Sequence, residues 1–316
     1  MSAETRRRHT SRVAYLGIDV GGTKIAAGIV SGEGEVLDRV QVPTPDGDAD
    51  LVFAAIEECV RQLDTDVDAV GVASAGPLDL RAGTASPVNI PEWRGFPLRD
   101  RVRQLFPDTD VVLANDGLCM ALGEHWVGAG RGTDDLIGLV VSTGVGGGLV
   151  LGGRAYPGRT GNAGHIGHTA VDEEPDCPCG GVGCVEVRAS GPNLVTWARS
   201  QGWNAPDGAD AKALADAATA GDKIAMAAFE RSGQAVGMAI AATAVMFDLE
   251  LAVVGGGVAQ AGELLFAPIR SAVARHAKLT YVSDLRVVSA ELGKDAGIVG
   301  AASLVARPAT MPSPPE

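Results

Sequence analysis

The chain has 316 residues, 46% hydrophobic and 21% charged, with 26 Lys+Arg against 39 Asp+Glu for a net charge of −13. That length and balance suit a folded protein of about two domains, with a core large enough to need no disulfide staples. The negative charge argues against nucleic acid as the main partner, because a binding face must offset phosphate charge, and it leaves small anionic ligands open.

Arg6, Arg7, Arg8 and Arg12 mimic the first region of a signal peptide, but the apolar stretch 13–18 behind them is short and ends at Asp19. Residues 1–12 are expected to be a disordered lead, and 307–316, with Pro308, Pro312, Pro314 and Pro315, a disordered tail. No apolar run reaches the ~18 residues of a membrane span, so a cytoplasmic protein without a membrane partner is expected. Strands are predicted at 13–18, 25–30 and 36–42, separated by Gly21-Gly22 and Gly32-Glu33-Gly34, which reads as an antiparallel meander. A helix follows at 50–63 with Asp48 or Asp50 as N-cap, then a strand at 69–73, a Gly/Pro/Asn loop at 76–95 and a short helix near 98–105. The strand 111–114 runs into Asn115-Asp116 and a helix to about 127.

A second group begins with a strand at 136–141, a glycine turn at 144–148 and a strand at 149–151. Residues 152–186 read as mostly loop, too long for an idle connection. A long helical pattern covers 222–247, and strand 251–254 ends in Gly255-Gly256-Gly257. Helices at 263–276 and 296–305 flank a last strand, 285–289. The halves echo each other, which predicts two related α/β domains around a cleft. Of the five cysteines, Cys59 shares a helical face with Val52, Ile56, Val60 and Leu63, and Cys119 with Leu122 and Trp126, so both are expected in the core.

Three glycine loops stand at strand ends. Asp19-Val20-Gly21-Gly22-Thr23-Lys24 offers backbone N–H groups and side-chain donors to a phosphate, and Asp19 could hold a phosphate-bound Mg²⁺. Ser142-Thr143-Gly144-Val145-Gly146-Gly147-Gly148 repeats that logic, and Gly255-Gly256-Gly257 ends a strand before a helix, where a nucleotide is readily received. Neither the G-x-x-x-x-G-K-[ST] nor the G-x-G-x-x-G signature is present. Asp116 either caps its helix or accepts the proton of an attacking hydroxyl, with Asn115 orienting that substrate. His165-Ile166-Gly167-His168 precedes Cys177-x-Cys179-x₄-Cys184, and three thiolates plus an imidazole are the ligand set of a closed structural Zn²⁺ site. Glu186 follows two residues beyond the last cysteine.

From about Ala14 to Val305 these motifs together resemble the ROK family (repressors, open reading frames, kinases). The resemblance implies an α/β protein of the actin-like, ribonuclease H-like ATPase fold, its two α/β domains flanking a cleft. The expected division is 13–117 plus 296–306 as a small domain and 118–295 as a large one carrying a zinc loop at 165–186. The implied activity is that of an ATP-dependent hexose 6-kinase acting on glucose or a glucose-like or amino sugar, with Asp116 as general base. Gly76, Asn89, Asn115, Asp116, His165, His168 and Glu186 would bind the sugar. Asp19, Gly21, Gly22, Thr23, Lys24, Thr143, Gly144, Gly146, Gly256 and Gly257 would take ATP and Mg²⁺. His168, Cys177, Cys179 and Cys184 would hold zinc, His168 serving both metal and sugar. Many glucokinases of the family carry Glu where this chain has His165; the His-x-Gly-His form is similar to N-acetylmannosamine kinases and to some of the repressors. An N-acetylmannosamine kinase is therefore one alternative, and a sugar-sensing regulator lacking its DNA-binding domain is another. A homodimer or homotetramer is expected.

Overall fold

A computed structural model describes residues 13–63 and 66–308. The expected lead at 1–12 lies outside these residues, as does the expected tail beyond residue 308. β1 (Ala14–Val20), β2 (Lys24–Ser31) and β3 (Val36–Pro43) form the predicted antiparallel meander. α1 (Ala49–Arg61) is capped by Asp48, whose side chain accepts from Leu51 N, and it is followed by β4 (Ala69–Ser74). The loop after β4 holds a two-residue pair, β5 (Leu78–Asp79) with β6 (Thr84–Ala85). Then come α2 (Leu98–Leu105), β7 (Asp110–Asn115) and α3 (Asp116–Val127). The second half contains β8 (Leu136–Val141), β9 (Val145–Leu151), β10 (Arg154–Tyr156), α4 (Glu186–Ala189), α5 (Gly191–Ser200), α6 (Ala211–Thr219), α7 (Lys223–Phe247), β11 (Leu251–Gly255), α8 (Glu263–His276), β12 (Arg286–Ser289) and α9 (Ala296–Ala306).

The expected echo appears in the pairing. One sheet has the order β3-β2-β1-β4-β7 and the other β10-β9-β8-β11-β12. In each, three strands pair antiparallel and the remaining two add in parallel. α3 and α9 share one apolar cluster, which includes Leu118, Leu122, Ala301 and Leu304. Cys59 and Cys119 are fully buried, as their helical faces predict.

One boundary differs. The predicted turn at 144–148 is shorter, because β9 already begins at Val145. Gly147 and Gly148 are strand residues, and a methyl group on Gly148 would overlap the backbone of Leu118 in α3. These two glycines serve helix-on-strand packing rather than a turn. Among the described residues, no helix is long and apolar enough to cross a membrane.

Candidate active site

β1, β4 and β7 run parallel, and Val20, Ser74 and Asn115 lie level across them. The segments that follow leave the sheet at its carboxyl edge, where open α/β sheets receive ligands. Asn115 is the N-cap of α3; its Oδ1 accepts from Gly117 N at 3.0 Å, and Asp116 Oδ1 accepts from the same N–H at 2.7 Å. The capping task thus falls to Asn115. Desolvation pushes the Asp116 carboxyl above the ordinary range, while the Gly117 N–H and the charge of His165 pull it back. Asp19 is pushed up to about 6, first by desolvation and then by the charge of Asp116, against Lys24 and Arg39. Its carboxylate lies against the first turn of α9, where a methyl group on Gly297 would overlap it.

A methyl group on Gly76 would come within 2.9 Å of His165 Nε2 and 3.1 Å of Asn115 Nδ2. Gly76, Asn115, Asp116 and His165 therefore form one group, with backbone rather than side chain at position 76. His165 Nδ1 donates to the Asn162 carbonyl at 2.9 Å, so in the neutral ring Nε2 is the acceptor. The rings of His165 and His168 lie 6.4 Å apart, inclined by 19°. Two further expected sugar residues contact the glycine loops. The Asn89 side chain is packed on Gly22 of the first glycine turn. Glu186 Oε2 accepts from Val145 N at 2.8 Å and touches Gly144, so its carboxylate braces the second glycine loop.

In the first turn Gly21 N donates to the Lys24 carbonyl at 3.0 Å, leaving the Thr23 and Lys24 side chains exposed. The second and third loops meet. Gly256 has φ +96° and lies so close to the Val141 carbonyl that a side chain is excluded on both counts. A methyl group on Gly257 would stand 3.6 Å from Ser142 Oγ. The Ser142 carbonyl accepts from Gly191 N at 2.8 Å, which brings the start of α5 to this junction. Thr143 and Gly144 follow Ser142 in the second loop, and Gly146 is the second residue of β9. Sequence reading missed Gly191, Asn162 and Gly297. Only Gly297, a glycine in a helix's first turn, carried any signal of a close approach.

His168, Cys177, Cys179 and Cys184 place one ligand atom each within 4.8 Å of one another. Cys179 Sγ to Cys184 Sγ is 3.7 Å, and Cys177 Sγ to His168 Nδ1 is 3.8 Å. A tetrahedron with Zn–S arms of about 2.3 Å has edges of about 3.8 Å, so the donor set and its spacing fit zinc. Burial, followed by the two neighbouring thiols, pushes Cys184 up to about 12, whereas the Gly181 N–H draws Cys179 down. Three thiols this close shed their protons together only against a cation.

A model of the ROK family matches residues 15–308. The glucokinase of Thermotoga maritima is 36% identical, covering 93% of this chain and 98% of its own. The N-acetylmannosamine kinase of Yersinia pseudotuberculosis is also 36% identical, covering 91% of this chain and 96% of its own. Among solved structures, a ROK family glucokinase from Streptomyces griseus in complex with glucose and AMPPNP superposes with a TM-score of 0.81 at 37% identity, covering 92% of this chain and 98% of that one.

Proposed function

The chain belongs to the ROK family, and from that premise we propose that it is an ATP-dependent sugar kinase that phosphorylates the 6-hydroxyl of glucose or of a glucose-like or amino sugar. The observation that carries this reading is Asp116. It opens a helix capped by Asn115, near His165, at the sheet edge that also bears the first glycine turn. Relatives of both substrate types cover more than nine-tenths of the chain.

In the reaction Asp116 accepts the 6-hydroxyl proton as the sugar oxygen bonds to the γ-phosphorus and the bond to the β-phosphate oxygen breaks, releasing ADP. The protein's work is alignment and charge compensation. Gly21, Gly22, Thr23 and Lys24 on one side, and Thr143, Gly144, Gly146, Gly256 and Gly257 on the other, would hold the phosphates and nucleotide. Asp19, ionised at neutral pH, would hold the Mg²⁺, which supplies charge neutralisation on the phosphates. Asn115 has committed Oδ1 to the cap and turns Nδ2 toward Gly76, where it would donate to a sugar hydroxyl. The zinc cluster would anchor His168 and the turn that carries His165. The sugar is the partner implied, in a homodimer or homotetramer.

The test is ADP release over a panel of hexoses and amino sugars. Turnover that needs a free 6-hydroxyl supports the reading; no sugar-dependent release with any member overturns it. Because desolvation raises Asp116 and the base must be ionised, kcat/KM should begin to fall with pH while still above the ordinary carboxylate range. A plateau extending down into that ordinary range would contradict a raised catalytic carboxyl.

His165 favours the N-acetylmannosamine alternative and is expected to tune the sugar choice. A buried polar group left unpaired costs about 1–3 kcal/mol, enough to reorder substrates. His165→Glu should raise kcat/KM for glucose relative to N-acetylamino sugars, with little change in the KM for ATP. It should also push the acid limb to higher pH, since a neighbouring negative charge replaces one that lowers Asp116. The same ranking of sugars in both proteins would show that His165 does not face the substrate.

A further inference from the structure

We infer, on the sugar-kinase reading above, that Asn162 is a positioning residue that latches the Gly76 loop to the His165 turn and so sets the spacing between His165 and Asn115 across the sugar site. The Asn162 carboxamide grips one residue of a distant segment by both backbone groups. Leu78 N donates to Asn162 Oδ1 at 2.8 Å, and Asn162 Nδ2 donates to the Leu78 carbonyl at 2.7 Å. These two bonds, one from an N–H and one to a carbonyl, fix the orientation of the amide, and Nδ2 also donates to Thr160 Oγ1 at 3.0 Å. The backbone continues the contact: Leu80 N donates to the Thr160 carbonyl at 3.2 Å, and Gly161, at φ +100°, admits the Leu80 side chain where a methyl group would overlap it.

The two grips close a circuit. Leu78 lies two residues after Gly76, and Asn162 lies three residues before His165, whose Nδ1 donates to the Asn162 carbonyl. The circuit returns to its start where His165 Nε2 stands 2.9 Å from the position of a methyl group on Gly76, beside Asn115 Nδ2. One residue therefore controls two variables of the site. Its carbonyl selects the His165 tautomer that accepts at Nε2. Its side chain sets how far that nitrogen stands from the loop opposite. The link bridges residues 84 apart in sequence and ties the first half of the chain to the second.

Asn162→Ala keeps the carbonyl and removes the grip; Asn162→Asp keeps the acceptor for Leu78 N and turns the donation to the Leu78 carbonyl into a repulsion. Each should raise the KM for the sugar roughly ten-fold, as expected for lost buried hydrogen bonds, with the KM for ATP within two-fold. Hydrogen exchange should accelerate at residues 76–80 and 160–165 together, and His165→Ala should add little on top of Asn162→Ala in a double-mutant cycle. A sugar KM unchanged in both variants, equal rises in the two KM values, or full additivity with His165→Ala would overturn the positioning role. Exchange that stays slow at residues 76–80 in Asn162→Ala would show that the grip is not what orders the loop, and would overturn it without reference to activity. A wild-type protein inactive toward every sugar would instead overturn the kinase reading.

Discussion

Replacing Asp116 by Asn is expected to lower kcat by roughly 10²–10⁴-fold, the usual scale for loss of a general base, while the fold and the KM for ATP stay as they are. Asn115 is the N-cap of α3, and an amide oxygen at position 116 can still accept from Gly117 N, so the substitution costs the helix little. The reciprocal substitution separates the two tasks. Asn115→Ala removes the cap and should destabilise the protein by about 1 kcal/mol, visible as a fall in Tm, besides weakening the sugar. Asp116→Asn should leave Tm level, or raise it slightly at neutral pH. The sign follows from the raised carboxyl: the folded state holds that proton more tightly than the unfolded one, so keeping the group ionised above its pKa opposes folding, and a neutral amide removes the opposition. Steady-state kinetics beside thermal melts give the answer. Activity within a few-fold of wild type in a folded Asp116→Asn protein would reject the assignment of the base.

What the sequence shows of this molecule is what short-range pattern can encode. The three-stranded meander follows from alternating apolar runs broken by Gly21-Gly22 and Gly32-Glu33-Gly34, and the structure keeps it. The cluster of His168 with three cysteines needs only the chain from residue 168 to residue 184, and its donor atoms do converge. α6 escaped because its stripe is faint: it buries only Leu214 and Ala218, and alanines on its other faces blur the period. Long-range geometry escaped for a different reason. Nothing local in Glu186 says that its carboxylate reaches Val145 N, 41 residues back, and nothing in Asn162 says that it will find Leu78. The strand glycines misled in the opposite sense. Gly147 and Gly148 resemble a turn in sequence, yet they are flat strand pressed against α3, because a glycine that spares room for a helix reads the same as one that spares room for a phosphate.

Cys179→Ser is expected to release about one zinc ion per chain and to weaken the sugar far more than the nucleotide. Cys179 is exposed, whereas Cys177 and Cys184 are buried, so its substitution removes a ligand without opening a cavity. A tetrahedral site that loses one of three thiolates keeps too few donors for a closed structural ion. The consequences should stay local. The cluster ties the loop 169–184 to the turn Ile166–His168, and that turn is pinned to the second sheet by buried Ile166 and by the contact of Gly167 with the Val145 carbonyl. The apolar core around α7 does not depend on the cluster for its packing, so the protein should still fold. His168 would lose its anchor and the neighbouring His165 turn would loosen, while Glu186 keeps its own bond to Val145 N from the start of α4. Loss of a supporting shell of this kind changes affinity on the order of 10–100-fold, and that is the rise expected in the sugar KM. The first glycine turn and Gly256 lie outside the loop, so the KM for ATP should move by no more than a few-fold. Elemental analysis of wild type and variant, with both KM values, decides it. A wild-type protein purified without metal that binds sugar normally would remove zinc from the account, and a variant that keeps its metal would move the ligand set away from Cys179.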